Sequence, residues 1–312
     1  MSDTPHAAGF RGRRVLVTGA RGFIGGALCR PLAAAGAEVH VSSRGDPSSG
    51  QACCASDNDM RWWRADLADS AAAHALIRDA APNIVFHMSA AVTGARDLDA
   101  VLPTFRDGLA STVNLLTACA GAGVDRVVLA GSVEARAEGG TPRSPYAAAK
   151  AAAAAYAQMF GALFALRCVD VRISMTYGPG QADPRKLVPY VINEIRSGRS
   201  PKLGSGTRLA DWTYIDDTVA ALLAAAASPE AVGNSIEIGT GVLSSVRDVV
   251  ERLVALVDPA VHPGFGAVGD RALEDEAPVD PGPAHRLLGG WAARVTLDDG
   301  LRRTVAASMQ AA

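Results

Sequence analysis

The sequence predicts an α/β protein built on a doubly wound parallel Rossmann sheet, with a smaller C-terminal lobe. Three observations carry that expectation. The apolar, β-branched run Arg14-Val15-Leu16-Val17-Thr18 feeds directly into Gly19-Ala20-Arg21-Gly22-Phe23-Ile24-Gly25, the pattern of a buried parallel strand turning into a helix. Short apolar runs and helical patterns then alternate as far as residue 166, an order that puts helices on both faces of one sheet. Finally, 312 residues at 49% hydrophobic content suffice for one large core or two unequal ones.

The first strand and its glycines set the ligand class. Gly19, Gly22 and Gly25 allow a tight turn, close approach of a pyrophosphate and close packing of helix on strand, while the free amides of the helix start face the anion. The second strand, Glu38 to Ser42, runs into Ser43 and Arg44, where a dinucleotide fold commonly carries an acid for the ribose 2′-hydroxyl. Arg21 and Arg44 instead offer two guanidinium groups to a 2′-phosphate. Charge therefore favours NADP(H) over NAD(H), although the fold accepts either.

The third strand, Met60 to Ala65, ends at Asp66-Leu67, and the fourth, Asn83 to Met88, ends at Ser89-Ala90-Ala91. Between them a helix over Ser70–Ala81 starts at an Asp69 or Ser70 cap, and a long helix occupies Asp97–Ala122. His87 reads as a packed strand-end histidine, since no second ligand stands at metal-binding spacing. The fifth strand, Arg126 to Ala130, delivers Ser132 and Glu134 to the carboxyl edge of the sheet. Ser132 can hydrogen-bond a reacting oxygen, and Glu134 is either a proton shuttle or a solvated loop carboxylate.

The helix from Tyr146 to Leu166 opens on Tyr146-Ala147-Ala148-Ala149-Lys150, which puts a phenol and an ammonium four residues apart on one face. A free tyrosine needs about 4 kcal/mol to ionise at neutral pH, and a lysine cation in a dry cleft removes part of that. The phenol can then exchange a proton with a sugar or alcohol oxygen while a hydride joins or leaves the same carbon.

Composition narrows the partners. Lys plus Arg total 30 against 32 for Asp plus Glu, so no net field draws the chain to nucleic acid or an anionic membrane. Its five cysteines, Cys29, Cys53, Cys54, Cys119 and Cys168, lack metal-ligand spacing, and a reducing cytoplasm is expected. The first ten residues lack the apolar core of an export signal, no apolar run approaches about 18 residues, and residues 1–9 are expected to form a disordered tail.

These stretches resemble the extended short-chain dehydrogenase/reductases, the NAD-dependent epimerase/dehydratase family of nucleotide-sugar enzymes. The resemblance rests on Thr18 to Gly25, Asp66-Leu67, His87 to Ala91, Ser132, Ser144 to Lys150, Tyr177-Gly178-Pro179-Gly180-Gln181 and Asp211 to Asp217. It implies that Gly19, Arg21, Gly22, Phe23, Ile24 and Gly25 hold the cofactor together with Ser43 and Arg44. It puts Asp66 and Leu67 at the adenine, Met88, Ser89, Ala90 and Ala91 along the cofactor, and Tyr146 and Lys150 at the nicotinamide ribose and the reacting oxygen. Ser132 completes a catalytic trio. The likeness further implies a dinucleotide-binding domain over 10–176 plus 207–238 and a substrate lobe over 177–206 plus 239–312. Lys186, Leu187 and Arg271 of that lobe, together with Arg208, are the substrate-binding candidates, Arg271 for the diphosphate. A helix from Leu187 to Arg196, a turn-rich strand over Pro201–Gly206 and an amphipathic helix over Ser244–Val257 complete the expected lobe.

Departures from the family pattern point to the subfamily. Gly108 stands for a usual Asn in the long helix, Met175 for the Asn typical of sugar epimerases, and Ala210 for a common Arg, with Arg208 two residues earlier. The loop from Ser132 to Tyr146 is short. The expected reaction is reduction of a keto-sugar nucleotide, with epimerisation or 4,6-dehydration as the alternative and a cofactor-binding protein without catalysis as a third reading. The Ala-rich helices are expected to pair a homodimer.

Overall fold

The computed structural model describes residues 9–45, 60–90, 93–136, 141–270 and 277–310. Ala91, Arg271, Cys53, Cys54 and residues 1–8 of the expected tail lie outside the described residues.

The chain begins with β1 (Arg14–Thr18), whose Val15, Leu16 and Val17 are fully buried. It continues through α1 (Phe23–Ala34), β2 (Glu38–Ser43), β3 (Met60–Arg64), α2 (Ser70–Ala80) and β4 (Ile84–His87). Asp69 caps α2 by accepting the amides of Ala71 and Ala72, which settles that helix start on Asp69. The long helix expected over Asp97–Ala122 is not uniform. Asp97 caps a short 3₁₀ turn over Leu98–Ala100, α3 (Val101–Thr104) follows, a π-helical turn occupies Phe105–Ala110, and α4 (Ser111–Ala122) resumes the regular pitch. Pro103 removes an amide donor from this stretch. The widened turn sets Gly108 against the later helix that carries Ala149, where a Cβ at Gly108 would lie 3.3 Å from the Ala149 methyl.

Next come β5 (Arg126–Ser132), α5 (Pro145–Phe164) and β6 (Cys168–Ile173). Ser144 caps α5 by accepting the Ala147 amide at 3.0 Å, and Pro145 occupies the first turn, where its missing N–H costs nothing. Ala147, Ala149, Ala153, Ala154 and Ala157 form the buried stripe of α5. The remaining elements are β7 (Met175–Tyr177), α6 (Leu187–Arg196), β8 (Leu209–Tyr214), α7 (Ile215–Ala227), β9 (Ser235–Ile238), β10 (Leu243–Ser245), α8 (Val246–Val257), α9 (Pro281–Leu287) and α10 (Leu297–Gln310).

Seven strands form the main sheet in the order β3-β2-β1-β4-β5-β6-β9, and the pairings from β3 through β6 are parallel. The order reverses between β1 and β4, so their carboxyl ends form the switch point where open α/β sheets hold ligands. The described residues fall into two compact units. One lies within Met1–Ile173, Val219–Glu237 and Gly282–Trp291, the other within Ser174–Thr218, Ile238–Pro281 and Ala292–Ala312. The second unit has its own sheet, β10-β8-β7, with β10 antiparallel and β7 parallel to β8.

Two local expectations in the second unit are corrected. Pro201–Gly206 is not a strand; a single bridge joins Lys202 to Gly264, because Gly206 turns at φ +77° and the Ser205 amide is taken by Asp270. The cap of α8 is Ser245, with Asp248 closing a reciprocal capping box, one residue later than the Ser244 start expected.

Candidate active site

The turn after β1 requires its glycines. Gly19 sits at φ +68°, and a Cβ there would come within 2.8 Å of the Ser89 backbone nitrogen; one at Gly25 would lie 2.4 Å from the Gly19 carbonyl oxygen. Both must be bare for β1 to turn against the exit of β4 and for α1 to start on that turn. The Gly22 amide donates to the Gly19 carbonyl at 2.8 Å. Gly22 caps α1 without a side chain, and no acid stands in the first turn, so the Phe23 and Ile24 end of the helix presents backbone amides to an anion.

A cavity of about 310 Å³ opens at this point. Its lining includes Gly19, Arg21, Gly22, Ser43, Arg44, Asp66, Leu67, Met88, Ser89 and Ala90, so the switch point gathers residues read separately from four stretches of sequence. Sequence reasoning missed Ser42, Asp107 and Ser111, which line it too; the four-residue spacing of Asp107 and Ser111 in a helical pattern was the signal available for those two. The cavity, the bare turn and the amides fit the adenosine and pyrophosphate of a dinucleotide. At its rim the Arg44 guanidinium donates to Asp107 at 2.7 Å, Arg106 bridges Asp107 and Asp66, and the Arg21 guanidinium lies 5.9 Å from the centroid of the Trp62 ring.

His87 ties the floor together. Its Nδ1 lies 2.8 Å from the Thr18 hydroxyl and its Nε2 3.0 Å from the Thr112 hydroxyl. Thr112 donates its one proton to the Gly108 carbonyl at 2.6 Å, so Nε2 must carry the ring proton and Nδ1 must accept from Thr18. Burial, with the nearby Lys150 charge, pushes His87 down to about 3. It is a neutral packed histidine joining β1, β4 and α4.

Ser132, Tyr146 and Lys150 come together beside this floor. Ser132 ends β5, and its hydroxyl accepts the Glu134 amide at 3.2 Å. The Lys150 ammonium donates to the Ala130 carbonyl at 2.5 Å and stands 5.7 Å from the Tyr146 ring centroid. Burial and the Glu134 charge push the Tyr146 phenol well above its ordinary value, while a hydrogen bond with Ser132 acts the other way. Burial pushes Lys150 down to about 8, against the pull of the Asp170 carboxylate. Burial dominates both groups, leaving Tyr146 a protonated phenol, as a proton donor must be, beside a lysine whose proton burial loosens. Glu134 is exposed on the turn after β5, yet its charge reaches Tyr146.

In the second unit, Lys186 and Leu187 start α6 and Arg208 precedes β8. No group of three or more His, Cys, Asp or Glu side chains among the described residues could hold a metal ion.

The model of the NAD dependent epimerase/dehydratase family matches residues 15–239. The chain belongs to this family. Among relatives of this chain, the UDP-glucose 4-epimerase of Mycolicibacterium smegmatis is 31% identical over 94% of this chain and 97% of its own. A probable dTDP-glucose 4,6-dehydratase of Sinorhizobium fredii is 30% identical over 94% and 91%. The crystal structure of the UDP-glucose 4-epimerase of Thermus thermophilus in complex with NAD superposes with a TM-score of 0.84 at 26% identity, covering 96% of this chain and 99% of that one. The doubly wound fold and the enzyme family agree with the sequence reading. No helix among the described residues is long and apolar enough to cross a membrane.

Proposed function

We propose that this protein is an NADP(H)-dependent oxidoreductase of a nucleotide-activated sugar and that it reduces a keto group on that sugar. The observation that carries this reading is that Arg21 and Ser43-Arg44 line the cavity at the end of β2, in the place of an acid that would select a free 2′-hydroxyl. A 2′-phosphate is the anion that such guanidinium groups suit, and NADPH is the usual donor for a net reduction. When bound, the nicotinamide supplies the hydride. Tyr146, whose phenol burial keeps protonated, gives its proton to the substrate oxygen as that oxygen gains negative charge. The Lys150 ammonium lies close enough to stabilise the tyrosinate left behind, and Ser132 hydrogen-bonds the same oxygen. Met175, in place of the epimerase Asn, supports the same reaction.

The nucleotide-sugar substrate is carried over from the relatives, which act on UDP- and dTDP-sugars by name. Lys186, Leu187 and Arg271, in a lobe of 177–206 plus 239–312, and Arg208, in the 207–238 segment of a cofactor domain of 10–176 plus 207–238, are its proposed binding residues. A second reading, 4-epimerase or 4,6-dehydratase, draws on the Glu134 charge felt at Tyr146 and on the relatives' names. The deciding assay offers NADPH and a panel of 4-keto-6-deoxy sugar nucleotides and follows absorbance at 340 nm. Consumption supports the reductase; turnover of an unmodified nucleotide sugar without added cofactor supports the second reading; inertness toward both supports a protein without catalysis. As a reductase, Tyr146→Phe abolishes turnover with little loss of NADPH binding and Glu134→Gln is mild, whereas a large loss in Glu134→Gln reassigns the protein as a dehydratase.

A homodimer is also proposed. Leu98, Leu102 and Phe105 before α4, with Leu163 and Phe164 at the end of α5, are 54–88% exposed, an apolar surface that a second copy would cover. Three buried free thiols, Cys29, Cys119 and Cys168, suit a reducing cytoplasm.

A further inference from the structure

Behind Lys150 the sheet carries a carboxylate that the proposed reaction does not use. Asp170 on β6 is 5% exposed. The β5–β6 register pairs Leu129 with Asp170 and Gly131 with Arg172. Paired residues of parallel strands point to the same face and alternate along each strand, so Leu129, Gly131, Asp170 and Arg172 share a face. Leu129 belongs to the core cluster that includes Ala157 and Phe160 of α5, and Asp170 therefore faces the helix of Tyr146 and Lys150. Its carboxylate occupies the space that Gly131 leaves: a Cβ at Gly131 would lie 2.2 Å from Oδ1. The residue before Gly131 is Ala130, whose carbonyl accepts the Lys150 ammonium.

We infer that Asp170, seated over Gly131, is a positioning residue whose negative charge holds the Lys150 ammonium in its protonated form at the site. The inference rests on reading Tyr146 and Lys150 as the proton-transfer pair. Among the described residues, the ionisable groups that interact with Lys150 are Tyr146 from α5, His87 from β4 and Asp170 from β6, while Glu134 acts on Tyr146 from the turn after β5. His87 is neutral above about pH 3, and Arg172 donates to Asp170 at 3.3 Å. Asp170 is thus the acid whose charge opposes the loss of the Lys150 proton that burial drives. Burial raises the pKa of Asp170 itself, and Ser235, Arg172 and Lys150 act against that rise.

The chain contains three lysines, Lys150, Lys186 and Lys202, so trace acetylation with acetic anhydride across pH 6–11, read by peptide mass spectrometry, follows Lys150 with two internal references. Asp170→Asn is expected to lower the Lys150 midpoint by about one pH unit while Lys186 and Lys202 stay where they are. Gly131→Ala keeps the carboxylate but forces it from its seat, and should shift Lys150 the same way. The double variant Gly131→Ala with Asp170→Ala, in which the new methyl has room, should match Asp170→Ala alone rather than add to it. Thermal melting identifies the folded variants. An unchanged Lys150 midpoint in folded Asp170→Asn or, should that variant not fold, in folded Gly131→Ala overturns the inference. The labelling needs neither substrate nor cofactor, so a failed keto-sugar assay would refute the proposed reaction and leave this result standing.

Discussion

Replacing Arg44 by Asp should invert the cofactor preference, and the expected size follows from the rim of the cavity. Arg44 is 58% exposed at its side chain and its present partner, Asp107, lies 2.7 Å away. A charge-assisted hydrogen bond is worth about 1.5–3 kcal/mol when sheltered, and exposure to solvent reduces that to about 1–1.5 kcal/mol here. An aspartate in its place loses that bond and sets a carboxylate about 5 Å from a phosphate, a repulsion of about 1–2 kcal/mol at an effective dielectric of about 30–60, between that of a protein surface and that of water. The sum, about 2–3.5 kcal/mol, weakens NADP(H) by about 30- to 300-fold, while NAD(H) gains an acceptor for its 2′-hydroxyl. Asp107→Asn, which frees Arg44 from its ion pair, should tighten NADP(H) by a few-fold. Isothermal titration of both cofactors against the native protein and the two variants measures all of this. Equal or tighter binding of NAD by the native protein, or unaltered NADP affinity in Arg44→Asp, would refute the reasoning.

Three further outcomes are expected. Gly25→Ala drives a methyl onto the Gly19 carbonyl, 2.4 Å away; it should cost about 1–3 kcal/mol and weaken both cofactors together, and a melting temperature and titration equal to the native protein's would contradict the account of the turn. His87, held at about 3, lies below its ordinary 6.5, so the unfolded chain takes up the proton first as pH falls; the stabilisation is present above about pH 6.5 and shrinks towards pH 3. Between pH 7 and pH 5 this one group removes about 2 kcal/mol. His87→Gln should flatten that part of the pH dependence of urea unfolding, and an identical slope in both proteins would count against the neutral assignment. Light scattering at micromolar concentration should give twice the 32.0 kDa chain mass, and a monomer mass would remove the dimer.

Features written within a few residues were legible in the sequence. The glycine turn after β1 depends on neighbours along the chain and was found, and the Asp69 cap was one of two adjacent candidates, whereas the Ser144-Pro145 start of α5 was read as the end of a loop before a helix from Tyr146. The face of the long helix that carries Asp107 and Ser111 was legible as a helical spacing, but not the cavity it lines, since that depends on where β2 ends. The π-helical turn at Phe105–Ala110 escaped because a single extra residue barely disturbs the apolar period. The burial that governs Tyr146 and Lys150 was not legible, because a pair of residues shows their mutual charge while burial is a property of the folded cleft. Asp170 over Gly131 was invisible for a related reason: 39 residues separate them, and only the register of β5 on β6 brings carboxylate and glycine together.

The order of strands in the main sheet also bears on how the chain is made. The last strand, β9, pairs with β6 but is synthesised some 60 residues after it, once β7, α6, β8 and α7 have emerged. On a ribosome adding about 5–20 residues per second, β6 waits several seconds with one edge unpaired, and Val169 and Val171, fully buried in the finished sheet, are in that strand. A nascent chain halted near residue 200 therefore carries an open, apolar sheet edge, which makes such an intermediate a substrate for chaperones and a source of aggregates in truncated forms.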